Sequence, residues 1–172
     1  MLRKLLAVAA FAVVAPVAAQ AQASFGIAAG ASVPNGDFKT FAETGYHLMA
    51  TLGIAPPALP VGLRIDGMWN EFNLKGGSSK ARILGVTGNA VLSMPGAMVL
   101  SPYLIGGIGM YNQSVSPKVT GVDSANDFGF NAGAGIKFGL AGFGAFAEAR
   151  FHSISNDNGS TRFIPITFGL TF

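Results

Sequence analysis

From Ser24 onward, apolar and polar residues alternate along most of the chain, and turn-forming residues cut the alternation into eight segments. A period of two belongs to strands, whose successive side chains point to opposite faces. The clearest segment runs from Asp127 to Phe138. There Phe128, Phe130, Ala132, Ala134, Ile136 and Phe138 alternate with Gly129, Asn131, Gly133, Gly135, Lys137 and Gly139. Similar alternation predicts strands over 24–33, 45–55, 61–72, 81–93, 98–111, 143–153 and 162–172. In the fifth segment Ser101-Pro102 leaves the register and face open. No amphipathic helix period appears.

The connections alternate in length. Pro56–Pro60, Met94–Ala97 and Leu140–Gly142 are short, whereas Pro34–Thr44, Asn73–Lys80, Asn112–Asn126 and Ser155–Thr161 are longer and polar. Short turns at one end and long loops at the other characterise barrels that cross a membrane. Most segments also reach the ~9–11 residues that a tilted membrane strand requires. The expected fold is all-β: an eight-stranded antiparallel up-and-down transmembrane β-barrel.

Alternation alone does not say which face points outward. A soluble barrel binding a small apolar ligand would turn the apolar face inward, and this is the alternative reading. The polar face favours the membrane barrel. It carries Arg64, Asp66, Lys137, Glu148 and Arg150, interspersed with glycines. Glycine weakens a strand and has no purpose on an exposed face. Inside a narrow eight-stranded lumen, filled by its own side chains, small residues make room for a few large ones. The five charges are therefore expected to form a lumen network, since buried charges must be paired. Aromatic residues are expected in two belts on the other face. Tyr46, Trp69, Tyr111, Phe128 and Phe151 lie toward the long loops, and Phe25, Phe138 and Phe143 toward the short turns.

The ends sharpen the picture. Arg3-Lys4, an apolar run from Leu5 to Ala19 and the small residues Ala21 and Ala23 read as a cleavable secretory signal peptide. The expected division is a signal over 1–23, its cut uncertain by two residues, and a barrel over 24–172. The formal charge of +3 includes Arg3 and Lys4; without them it is +1. That balance, with no basic run, gives no footing for nucleic acid. The absence of cysteine excludes disulfides and a lipid-anchored N-terminus. At the other end Ile164, Ile166, Phe168, Leu170 and Phe172 share one face up to the final residue.

These residues resemble the OmpA/OmpX-like superfamily of eight-stranded outer-membrane barrels. The carrying segments are Ser32-Val33-Pro34-Asn35-Gly36-Asp37-Phe38, Pro102-Tyr103-Leu104-Ile105-Gly106-Gly107-Ile108-Gly109, Phe146-Ala147-Glu148-Ala149-Arg150-Phe151 and Ile164 through Phe172. The resemblance covers the whole of 24–172 and concerns architecture more than activity. It implies an outer-membrane location, contact with outer-membrane lipid, a monomer, and delivery by the outer-membrane assembly machinery. Phe168, Leu170 and Phe172 would then form the assembly signal.

Candidate chemistry is sparse. The run Arg150-Phe151-His152-Ser153-Ile154-Ser155-Asn156 faintly resembles the His-x-Ser-Asn run of outer-membrane lipid A deacylases. Here Ser153 and Ser155 stand one and three residues from His152, so both hydroxyls fall on the opposite strand face. A base and nucleophile must share a face to meet. His47 and His152, with no cysteine, form no metal-ligand cluster. Gly106-Gly107-Ile108-Gly109 precedes no helix and is not a phosphate loop. The sequence therefore predicts a barrel without cofactor or enzymatic activity, acting in envelope structure or through its loops. Eight strands leave too little lumen for appreciable conductance.

Overall fold

The computed structural model describes residues 22–56, 60–94, 100–117, 124–140, 143–156 and 159–172. Eight strands form it: β1 (Gln22–Asn35), β2 (Gly45–Ala55), β3 (Val61–Asn73), β4 (Lys80–Ser93), β5 (Leu100–Ser116), β6 (Ala125–Leu140), β7 (Phe143–Asn156) and β8 (Gly159–Thr171). A single helical turn, α1 (Phe38–Phe41), follows β1. The strands are antiparallel, in sequence order, and close into a barrel. β1 and β8 pair from Gly26↔Thr171 to Asn35↔Arg162. Two further bonds extend that seam: Phe172 N–H donates to Phe25 O at 2.7 Å, and Phe25 N–H to Phe172 O at 3.1 Å. Closure leaves no unpaired sheet edge.

The apolar face points outward. Ile108, Phe128 and Phe168 are 69%, 67% and 66% exposed, and they belong to a wall that includes Leu63, Ile65, Val86 and Leu104. Such a continuous apolar surface suits hydrocarbon and not water. The soluble-barrel alternative fails on this point, because its apolar residues would face the interior.

The fifth strand resolves cleanly. Its pairing with β6 runs unbroken past Pro102, opposite Ile136, and its pairing with β4 is continuous from Ser116 to Tyr103. Tyr103, Ile105 and Tyr111 are buried inside, while Leu104, Ile108 and Met110 face out. Tyr111 is therefore not a belt residue: its parity matches the lumen set. The proline sits on the outward face and leaves the register intact. Pro165 in β8 has a local effect, for it lacks the N–H a ladder needs. The β7–β8 pairing skips from Ala149↔Ile166 to His152↔Phe163.

Strands run further than the apolar alternation at the long-loop end. Asn112↔Asn126 and Gln113↔Ala125 are paired, as are Ser155↔Ser160 and Asn156↔Gly159. The expected loops Asn112–Asn126 and Ser155–Thr161 are shortened accordingly. Beyond the apolar band both strand faces meet water, so backbone pairing continues with no hydrophobic period to mark it. The first long loop turns at Gly36, whose φ of 59° is open to glycine. Its N–H donates to Asn35 Oδ1 at 2.7 Å. The expected signal peptide lies outside the described residues but for its last two, Gln22 and Ala23, which pair with Ala55 and Ile54 in β1. The expected short turns likewise fall largely outside the described residues.

Candidate functional site

The lumen is built by sequence parity. Arg64 and Asp66 stand two apart on β3, and Glu148 and Arg150 two apart on β7. Each pair shares a strand face. β3 and β7 run in the same direction on opposite sides of the eight-strand ring, so their inward side chains meet across the interior. The charge order is reversed between them: cation then anion on β3, anion then cation on β7. Opposite signs therefore face each other at both levels.

The result is a closed circuit of four ion pairs. Arg64 Nε lies 3.0 Å from Asp66 Oδ1, and Arg64 Nη2 lies 2.7 Å from Glu148 Oε2. Arg150 Nη1 lies 2.8 Å from Asp66 Oδ2, and Arg150 Nη2 contacts Glu148 Oε1. All four residues are buried. The circuit is electrically neutral, which is how a low-dielectric interior tolerates charge.

Neighbouring side chains extend the hydrogen bonding, although Asp66 Oδ1 and Asn131 Oδ1 accept no hydrogen bond among the described residues. Tyr103 Oη donates to Glu148 Oε2 at 2.8 Å, and Asn89 Nδ2 to Asp66 Oδ2 at 2.9 Å. Asn131 Nδ2 then donates to Asn89 Oδ1 at 2.9 Å. The glycines of β6 create the space. A Cβ at Gly135 would collide with the phenol ring of Tyr103, and one at Gly133 would stand 2.9 Å from Arg150 Cγ. Lys137, expected in this network, is outside it. It pairs with Phe146 rather than Glu148 across β6 and β7, and its Nζ sits 5.3 Å over the Tyr103 ring. Parity gave its face correctly but not its height along the barrel.

Above the circuit, toward the long loops, lies a second polar layer. His47 Nδ1 and Ser32 Oγ both bond to Asn70 Oδ1, at 2.8 and 2.6 Å. Tyr111 Oη and His152 Nδ1 are 2.9 Å apart, and the His152 ring stacks on Phe163 at 5.0 Å. Among the described residues neither histidine is bonded to a serine hydroxyl, and no three histidine or acidic side chains are placed to hold a metal. The lumen then ends in an apolar lid of Met68, Phe72, Ile83, Tyr111, Ile154 and Phe163. Phe38 of α1 meets Phe72 edge-on at 5.0 Å and caps it. Strand-like bonding holds this cap, with Glu43 N–H donating to Asn73 O and Lys75 N–H to Phe41 O, each at 2.9 Å.

On the outside, Tyr46, Trp69, Phe128, Phe25 and Phe143 are exposed. Phe151 and Phe138 share their face but are half-buried; the Phe151 ring lies 6.3 Å from Phe130. Phe168, Leu170 and Phe172 are also exposed on the outward face. Sequence reasoning missed an outer-rim cluster. Lys80 Nζ and Arg82 Nη2 lie 2.8 and 3.3 Å from the two carboxylate oxygens of Glu71, and the Arg82 guanidinium sits 4.6 Å over Trp69. Only the β3–β4 register, which sets Glu71 opposite Arg82, brings them together.

A closed antiparallel barrel with an apolar exterior and a charged, plugged interior defines a transmembrane β-barrel of the outer-membrane type. The family model described as "Outer membrane protein beta-barrel domain" matches residues 5–172, and the chain belongs to that family. No curated protein matches the chain. Neisserial surface protein A is a structural neighbour at 15% identity and TM-score 0.70, covering 87% of this chain and 94% of that one. Ail, the attachment invasion locus protein of Yersinia pestis, solved with the heparin analogue sucrose octasulfate, aligns at 15% identity and TM-score 0.59, covering 89% and 99%. The outer-membrane enzyme PagL aligns at 16% identity and TM-score 0.52, covering 87% and 98%. At these identities the likeness is one of fold. The chain is an outer-membrane protein, and its fold is shared by at least one outer-membrane enzyme.

Proposed function

We propose that this barrel is a non-enzymatic envelope protein, acting as a structural element and through its long loops. The observation that carries the reading is the commitment of the four circuit charges in the lumen to one another. Arg64, Asp66, Glu148 and Arg150 neutralise each other, and His152 is engaged by Tyr111 and Phe163. A general base needs reach to a substrate proton, and a nucleophile needs such a base beside it. The apolar lid over the lumen argues equally against a pore.

In this reading the short turns face the periplasm and the long loops the exterior. The exposed aromatics form belts at the two membrane interfaces, with Phe138 and Phe151 contributing from half-buried positions. The protein sits as a monomer in outer-membrane lipid. The outer-membrane assembly machinery delivers it, reading Phe168, Leu170 and Phe172. Purified barrel refolded in detergent should release no fatty acid from phospholipid or lipopolysaccharide, and should give no steady conductance in planar bilayers. Acyl release that disappears in His152→Ala would overturn the reading.

A further inference from the structure

Among the described residues, the charge account of the lumen leaves one cation over. The circuit of Arg64, Asp66, Glu148 and Arg150 is neutral, and Lys137 adds a positive charge at the short-turn mouth. A cavity of about 70 Å3 opens there, lined by Lys137, Arg64, Thr51, Ser24, Ser93 and Thr171 among others. That space accommodates several waters or one tetrahedral oxyanion. The Arg64 side chain is 9% exposed. Its Nε and Nη2 serve Asp66 and Glu148, and among the described residues its Nη1 carries no hydrogen bond. Lys137 has no carboxylate within ion-pair distance among the described residues, and its ammonium lies over the face of Tyr103. Two cations and four hydroxyls thus converge on one small space. Hydroxyls can turn their protons to an acceptor. Guanidinium and ammonium groups both favour phosphate-type oxygens.

We propose that this mouth is a binding site for a phosphate-type oxyanion, held by Lys137 and Arg64 with the surrounding hydroxyls as further donors. The opposite end of the lumen is closed by the apolar lid, so the anion enters from the short-turn side. It is either a free oxyanion or the phosphate of a lipid headgroup at the rim.

The test uses the barrel folded in uncharged maltoside micelles. Thermal unfolding is followed during titration with inorganic phosphate, and separately with phosphatidylglycerol doped into the micelles. Sodium chloride at matched ionic strength is the control. The proposal expects one of the two to raise the unfolding temperature beyond chloride. Lys137→Gln should weaken the apparent affinity at least tenfold, and Lys137→Arg should retain it. A response to phosphate alone assigns the site to a free oxyanion, and a response to the lipid alone assigns it to a headgroup. No response to either ligand overturns the proposal, as does an equal response in Lys137→Gln. A heat-dependent gel shift of each variant verifies that the barrel has closed.

Discussion

The guanidinium of Arg64 on β3 meets the carboxylate of Glu148 on β7 at 2.7 Å, across the barrel interior and 84 residues along the chain. One level higher the signs are exchanged, and Arg150 meets Asp66 at 2.8 Å. The relationship depends on charge order, Arg-Ile-Asp against Glu-Ala-Arg, and that order can be tested directly.

Exchanging the two charges on β3 alone, by Arg64→Asp with Asp66→Arg, would face like charges at both levels. Exchanging them also on β7, by Glu148→Arg with Arg150→Glu, would restore opposition. The β3 exchange should lower the urea midpoint in detergent sharply, and the fourfold exchange should recover much of the loss. A fourfold variant no more stable than the β3 exchange would show that the circuit does not depend on cross-barrel pairing.

Removing one member of a buried pair strands the others. Glu148→Ala should cost about 3 kcal/mol, the lower end for breaking a buried pair, because it releases Arg64, Arg150 and Tyr103 together. Asp37 is exposed and its side chain caps nothing. Asp37→Ala should stay within about 0.5 kcal/mol. Equilibrium unfolding of both variants in one detergent makes the comparison.

Space beside Tyr103 is the third point. A Cβ at Gly135 meets its phenol ring, whereas a Cβ at Gly88 meets nothing within 4 Å. Gly135→Ala should cost about 1–3 kcal/mol as an overpacked site and should disturb the near-ultraviolet tyrosine signal. Gly88→Ala, on the outward face, should leave both stability and signal close to wild type.

Phe172 provides a test of delivery. Phe172→Ser keeps the backbone bonds to Phe25 but removes the exposed ring. Fractionated cells should show less of this variant in the outer membrane and more in the periplasm, while the protein refolded in vitro should remain heat-modifiable. Normal outer-membrane levels would remove Phe172 from the assembly signal.

Much of the barrel was legible because its apolar band imposes period two wherever a strand has hydrocarbon on one side. The bounds of β2, Gly45 to Ala55, follow from that alone. Tyr111 was misplaced because β5 is apolar on both faces: Tyr103 and Ile105 inside resemble Leu104 and Ile108 outside. Lys137 was placed on the right face but at the wrong height, since alternation fixes direction and not register. The paired stretches beyond the band escaped because water on both faces erases the pattern. His47 and Asn131 carried an overlooked signal, each standing at lumen parity between two outward apolar residues, Tyr46 and Leu48 for the first and Phe130 and Ala132 for the second. The Arg64–Glu148 contact had none, because only ring closure makes β3 and β7 face each other.

The β1–β8 seam bears on how the molecule comes into being. Synthesis produces β1 first and β8 last, yet they are neighbours. Throughout export the earliest strand must travel with one flank open, a template for any passing chain. The ring gains its final ladder only when the two extremities arrive together, so half-built intermediates carry an adhesive margin that the finished cylinder lacks.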